Sequence, residues 1–334
     1  MARAVTPVVR TNGLKIPKVV TEVVSVETED EKTVERNAFV PDSKYATGYV
    51  HRTVRGVYDF DLMDYAMRNG VNILFRGHTG SGKTMLGMAF AAYYGYPYYS
   101  VPCDVSMEPS ALFGRWIPTG DPDSPHEWID GPVTELVRHG GVLNLSEVNL
   151  MSPRITGSLF PLLDHRRCIP LMYHRGEVVR AHKNLLIVAD MNPNYQGTQK
   201  LNQAFENRFP IKEDWNYDAA VEKELVKVPE ILDLADRIRN DPKYRTPVST
   251  NAMVDFVKFA NDLGLDFAIH NFAAPFMDAE RESVLQLLNL SKDELGEQVG
   301  AVSGKPPEKA LEPDEEWYEP RGAVDINDYP IVKE

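Results

Sequence analysis

The stretch Val71-Asn72-Ile73-Leu74-Phe75-Arg76-Gly77-His78-Thr79-Gly80-Ser81-Gly82-Lys83-Thr84 decides the fold. Its last eight residues match the phosphate-binding pattern GxxxxGK[ST] in full, and an apolar, β-rich run leads into them. Glycines at such positions let the chain turn with positive φ and bring backbone N–H groups close to phosphates. Lys83 supplies a positive charge for the β- and γ-phosphates, and the Thr84 hydroxyl is a ligand for Mg²⁺. Gly77, His78, Thr79, Gly80, Ser81, Gly82, Lys83 and Thr84 are therefore the expected cradle of a nucleoside triphosphate, with ATP and Mg²⁺ as the expected cofactors. A helical pattern of Ala, Met, Gly and Phe follows from Met85 to Tyr94, which is the strand–loop–helix context that the motif requires.

Outward from this loop, Phe60, Leu62, Met63, Tyr65, Ala66 and Met67 predict a helix ended by Asn69-Gly70. Strands are expected at Tyr98 to Pro102, Gly141 to Leu145 and Leu185 to Ala189, with a helix from Pro153 to about Asp164. Phe113 to Trp128 is too irregular for a core element and reads as a loop or hairpin insertion, and Cys168 to Tyr173 with Glu177 to Ala181 reads as a β-hairpin. Strands alternating with helices around the phosphate loop give an α/β fold with a central parallel sheet and ligands at the carboxyl ends of its strands. Past Pro210 the pattern turns helical: Ala219 to Val226, Ile231 to Asn240, Asn251 to Leu263, Phe267 to Phe276 and Ala279 to Leu290. The expected division is an N-terminal extension at 1–54, an α/β core at 55–210, a small helical domain at 211–290 and an acidic, proline-rich disordered tail at 291–334.

With 334 residues, 43% of them hydrophobic, the chain can bury a sizeable core. Its two cysteines, Cys103 and Cys168, lie far apart without metal-ligand or disulfide-framework spacing. No apolar stretch approaches membrane-spanning length and no export signal opens the chain, so a soluble cytoplasmic protein is expected. The formal charge of −13 weighs against a protein devoted to gripping a phosphodiester backbone. His165, His174 and His182 form no convincing ligand pair and read as surface or hairpin residues.

Hydrolysis needs a group to orient water and a group to report on the γ-phosphate. Glu147, at the end of a strand one position after Ser146, suits the first role, and Asn192, at the end of the next strand, suits the second, unless it is a turn residue before Pro193. Arg208, in Phe205-Glu206-Asn207-Arg208-Phe209, could reach the γ-phosphate of a neighbouring subunit or be a surface ion-pair partner. Phe113, Trp116 and Trp128 read as a packed hairpin first and a client-gripping loop second.

Over about residues 55 to 290 the chain resembles the MoxR-type AAA+ ATPases. Asp130-Gly131-Pro132, Gly140-Gly141 and Asp164-His165-Arg166-Arg167 before Ile169-Pro170-Leu171 resemble the branch serving denitrification and Rubisco activation. Tyr195-Gln196-Gly197-Thr198-Gln199-Lys200-Leu201-Asn202-Gln203-Ala204 is closer to the small ATPase subunit of aerobic cobaltochelatase. The resemblance implies an α/β ATPase core, a helical lid, a homo-oligomeric ring of about six subunits with shared active sites, and two insertions at 113–130 and 168–181. It also implies a partner with a von Willebrand factor A domain and a protein client. Where the family carries Asp-Glu, this chain has Ser146-Glu147, so Ser146 is either a water-shell ligand of Mg²⁺ or a plain strand-end cap. Asn251 stands where related lids carry a sensor arginine. Asp190, Arg154 and Arg166 are candidates to compensate. The expected activity is ATP hydrolysis driving a remodelling motor. The alternatives are a nucleotide-locked scaffold with little turnover and a nucleic-acid motor, the latter disfavoured by the acidic balance.

Overall fold

The computed structural model describes residues 39–192 and 201–303. Two compact units divide the chain between Leu225 and Val226. The first contains α1 (Lys44–Thr47), α4 (Pro109–Phe113) and the antiparallel pair β1 (Thr53–Val54) and β2 (Val57–Tyr58), and in it five parallel strands form the central sheet: β3 (Ile73–Arg76), β4 (Tyr98–Pro102), β7 (Gly141–Ser146), β10 (Leu185–Met191) and β11 (Ile211–Asp214). Their order across the sheet is β11-β3-β10-β7-β4. The strand carrying Asp190 and leading to Asn192 thus lies between the strand feeding the phosphate loop and the strand feeding Glu147.

Side chains alternate along a strand, so these apolar runs sort themselves onto two faces. Ile73, Phe75, Val142, Leu186 and Val188 join one core with Phe60 and Met63 of α2 (Asp59–Asn69) and Leu86 and Phe90 of α3 (Lys83–Tyr94). Leu74, Leu143, Leu145, Leu185, Ile187 and Ala189 join the other, against α5 (Pro132–His139) and α6 (Pro153–Leu163). α6 starts where Pro153 takes the first helical position and Ser152 caps it, its Oγ accepting from the Ile155 N–H at 3.4 Å.

Both expected insertions are hairpins. β5 (Gly114–Pro118) pairs with β6 (His126–Asp130), and β8 (Cys168–Leu171) with β9 (Glu177–Arg180). They hold each other: Trp116 Nε1 donates to the Tyr173 carbonyl at 2.9 Å, and His174 stacks on Trp128 at 4.7 Å between centroids. Arg138 of α5 donates to Asp130 and, through two nitrogens, to Glu177, which holds the Glu177 carboxyl below the usual range. The aromatic cluster is packed, although Trp116 keeps part of its ring exposed.

Three expectations need correction. The chain does not turn helical directly after Pro210: Ile211–Asp214 is a strand, because pairing beside β3 completes the sheet's ladder on that edge, a tertiary contact invisible to local periodicity. The helix Ala219–Val226 follows within the first unit but for its last residue. The acidic tail does not begin at 291 either, since Lys292–Ser303 forms a helix whose Leu295 and Val299 are buried in the second unit. Finally, the end of the supposed extension docks on its own core. Tyr98 N–H donates to the Phe39 carbonyl at 2.9 Å, and Tyr49 packs beside Phe60. The rest of the extension (1–38), the tail beyond 303 and most of the Tyr195–Ala204 signature lie outside the described residues.

The second unit packs Pro229–Asn240, Thr250–Asp262, Leu265–Ala273, Asp278–Leu290 and Lys292–Ser303 around Ile231, Leu234, Met253, Phe256, Phe272, Val284 and Leu288. Asn251 sits exposed in the first turn of Thr250–Asp262, after the Ser249 cap. No helix among the described residues is long and apolar enough to cross a membrane.

Asp59, fully buried, is the pin of the docked segment. Its carboxylate accepts from the Tyr49 hydroxyl at 2.9 Å and from the Arg52 and Phe60 N–H groups at 2.9 and 2.8 Å, and lies 3.0 Å from His51 Nδ1. Burial, with Asp59 beside it, pushes the Tyr49 phenol far above its usual range. Asp59→Ala strands these donors in the core. It is expected to cost about 3 kcal/mol, read as a lowered Tm of the full chain, with Asp59→Asn intermediate.

Candidate functional site

The phosphate loop forms where β3 meets α3 and turns through two left-handed glycines, Gly80 (φ 72°) and Gly82 (φ 90°). The Gly77 N–H donates to the Met191 carbonyl at 3.1 Å, which ties the loop to the end of β10. Gly77 has no positive φ, and its glycine requirement has another origin: a Cβ there would lie 2.0 Å from the Trp215 carbonyl oxygen. Lys83, 8% exposed, donates to the Gly77 and His78 carbonyls at 2.8 Å each. Burial lowers the pKa of its ammonium, and the charges of Asp190 and Glu147 oppose that shift. The Ser81 hydroxyl closes the loop on the His78 carbonyl at 2.8 Å, while Thr84 is exposed at the start of α3.

Glu147 follows β7 in the left-handed region (φ 56°, ψ 49°), a conformation that costs a residue with a Cβ about 1 kcal/mol. Its carbonyl accepts from Leu150 N–H at 2.9 Å, and its own N–H is directed at Asp190 Oδ1, 3.4 Å away. The Ser146 hydroxyl is also 3.4 Å from that oxygen, and Asn144 Nδ2 is 3.2 Å from Oδ2. Burial raises the Asp190 pKa, with Lys83 the main opposing influence. Asn192 donates to the Thr79 hydroxyl at 3.0 Å, so the end of β10 touches the phosphate loop through a side chain as well as through its backbone.

A backbone cradle at a helix start, a buried lysine, an exposed threonine hydroxyl and a carboxylate close by are a donor set suited to a triphosphate with a divalent cation. The structure brings Gly77 to Thr84, Ser146, Glu147 and Asn192 to one edge of the sheet. It does not bring Arg208 there. The Arg208 carbonyl accepts from Asn72 Nδ2 at 2.8 Å, at the start of β3 rather than at its loop end. Its guanidinium lies 3.8 Å over the Phe160 ring, bonds the Ala204 carbonyl and approaches Asp164 at 4.0 Å. Of the compensating arginines, Arg154 pairs with Glu108 at 3.2 Å and Arg166 with Asp164 at 2.8 Å.

Other neighbours of the loop were not foreseen. Arg52 donates to the Ser81 carbonyl at 2.5 Å and lies 4.5 Å over the Trp215 ring. Tyr217 donates to the Thr79 carbonyl at 3.1 Å and stacks with His78 at 5.6 Å. Beside them is a cavity of about 310 Å³ lined by residues 52–55 and 213–218. No local pattern joins two segments some 160 residues apart. The one hint was the isolated cluster Trp215-Asn216-Tyr217 after a short strand.

Residues 72–209 match the AAA domain of the dynein-related subfamily. The chain belongs to the AAA family of P-loop ATPases. An uncharacterized protein of Staphylococcus aureus (strain USA300) is 30% identical over 181 residues, 54% of this chain and 68% of that one. An uncharacterized protein of Bacillus subtilis (strain 168) is 36% identical over 147 residues, 44% of this chain, and the match spans about half of that protein (48%). Among solved structures, NtrX from Brucella abortus in complex with ADP aligns with a TM-score of 0.37 at 17% identity, over 70% of this chain and 48% of that one.

Proposed function

We propose that the protein is an ATP-hydrolysing AAA motor of MoxR type, working as a homo-oligomeric ring, with about six subunits, on a protein client. The observation that carries this reading is the junction at the loop end of the sheet, where Asn192 bonds Thr79 and Glu147 is held out of β7 in a strained conformation beside the phosphate loop. In this reading Gly77 to Thr84 bind the phosphates, and the base of the nucleotide uses the cavity beside Arg52, Trp215 and Tyr217. Bound ATP-Mg supplies the anhydride to be cleaved and the cation that offsets its charge. Glu147 would accept the proton of the attacking water, Asn192 would orient the γ-phosphate side of the site, and Thr84 and Ser146 would help to hold the cation. Arg208, remote from its own loop, serves a neighbouring subunit's site, which is consistent with its position at the opposite end of β3. The exposed Met172 and Tyr173, at the tip of the second hairpin, are candidates for client contact, as is a partner with a von Willebrand factor A domain for the ring as a whole.

The scaffold reading rests on Ser146, which brings no charge to a position where the resemblance to the MoxR-type proteins implies an aspartate. Phosphate release from ATP-Mg separates the two. The motor reading expects turnover in the wild type and a fall of roughly 10³-fold in Arg208→Ala with nucleotide binding retained, seen at concentrations where rings form. Wild-type release no faster than that of Lys83→Ala would establish the scaffold instead. Stimulation by DNA or RNA would favour a nucleic-acid motor.

A further inference from the structure

We propose that Asp190, on β10, carries the acidic role that β7 has given up, so that the metal-facing carboxylate of this site comes from the neighbouring strand. The inference rests on the nucleotide-binding part of the reading above and extends it. In the β10–β7 ladder Leu185 to Ala189 pair with Gly141 to Leu145, so Asp190 stands level with Ser146, one position beyond the last pair. Paired residues of parallel strands project from the same face, and adjacent strands are about 4.8 Å apart. Moving a carboxylate from position 146 to position 190 therefore displaces the charge by one strand spacing while keeping it on the face that carries α3 and Lys83. Asp190 and Ser146 share the parity of Val142, Leu186 and Val188, which all pack in the core on that side.

The surroundings of Asp190 are those of an anion awaiting a cation. It is 3% exposed, yet its three hydrogen-bond contacts, to Asn144, Ser146 and the Glu147 N–H, are 3.2–3.4 Å long. Charge-assisted bonds normally close to 2.7–2.9 Å. Among the described residues no ion pair to it is found, and Lys83 places two of its three ammonium donors on the Gly77 and His78 carbonyls. A structural cap would be expected to draw its donors in; a carboxylate left under-bonded in the interior is stabilised by a metal's water shell instead. The same contacts make Ser146 a relay: its hydroxyl donates to Asp190 and keeps an oxygen lone pair for a metal-bound water.

The test reads metal binding, not turnover. The affinity of full-length protein for a fluorescent ATP analogue is measured in Mg²⁺ and in EDTA, and Mn²⁺ occupancy with nucleotide is followed by electron paramagnetic resonance. In Asp190→Asn, which keeps the shape and one acceptor oxygen for Ser146 and the Glu147 N–H, the Mg²⁺-dependent gain in affinity is expected to fall roughly tenfold or more while the EDTA affinity stays within about twofold. Returning the carboxylate in Ser146→Asp/Asp190→Asn is expected to restore the gain. A full Mg²⁺ gain in Asp190→Asn, or a folded double variant without it, would overturn the proposal, and so would a wild type whose nucleotide affinity ignores Mg²⁺. Thermal denaturation establishes that each variant is folded. Because binding is the readout, a wild type that binds ATP-Mg but releases no phosphate defeats the motor reading alone.

Discussion

Glu147→Gln is expected to bind ATP as tightly as the wild type and to release phosphate about 10²–10⁴ times more slowly, leaving rings trapped in the ATP-bound form. The substitution keeps the size of the side chain and removes its negative charge and with it its ability to take a proton. The backbone that presents it is fixed independently: the left-handed conformation is held by the Glu147 carbonyl bonding Leu150 N–H and by the Glu147 N–H facing Asp190. Neither contact involves the side chain, so the loop should persist in the variant. The one side effect foreseen is electrostatic. Glu147 and Asp190 both oppose the burial that lowers the Lys83 pKa, so removing the Glu147 charge weakens that support while leaving Asp190 in place. Asp190 continues to oppose that shift in the variant, so nucleotide binding should stay intact. Phosphate release and size-exclusion elution in ATP-Mg check both parts, and equal turnover in the two proteins would remove Glu147 from the chemistry.

Gly77→Ala is expected to destabilise the core by about 3 kcal/mol and to impair nucleotide binding severely, even though the position has no positive φ. The added Cβ would lie 2.0 Å from the Trp215 carbonyl oxygen and 2.7 Å from its carbon. These are backbone atoms, and Trp215 N–H is itself bonded to the Arg76 carbonyl at 2.6 Å, so neither side can give way without breaking the register of β11 against β3. Trp215 also packs its ring on Phe75 and under Arg52, so a shift there reaches the Arg52–Ser81 contact and the loop. Gly95→Ala is the control: its φ is 69° but the space around it is open, so only conformational strain of about 1 kcal/mol is expected. Chemical denaturation and nucleotide titration of both variants check the contrast. Similar losses in the two would mean that the contact with Trp215 is relieved and does not make Gly77 necessary.

The core strands and the helices that flank them were legible because apolar runs and their turn residues are local signals. Tyr98 to Pro102 and Gly141 to Leu145 lie within one residue of the observed bounds. β11 was not legible, since Ile211-Lys212-Glu213-Asp214 has no strand pattern of its own and is extended because β3 offers it a free edge. The same holds at the site. Lys83, Thr84, Glu147 and Asn192 follow from motif spacing, whereas Arg52, Trp215 and Tyr217 reach the loop from segments that only the closed sheet brings together.

The sequence by itself determined that the loop after β3 carries a complete phosphate-binding pattern, because eight consecutive residues match it between a strand and a helix. It also determined that Ser146 stands where a charge was expected. Only the tertiary structure decided what stands beside that serine. Strand order puts β10 against β7 and their register puts Asp190 level with Ser146, and both are long-range pairings that no local pattern encodes.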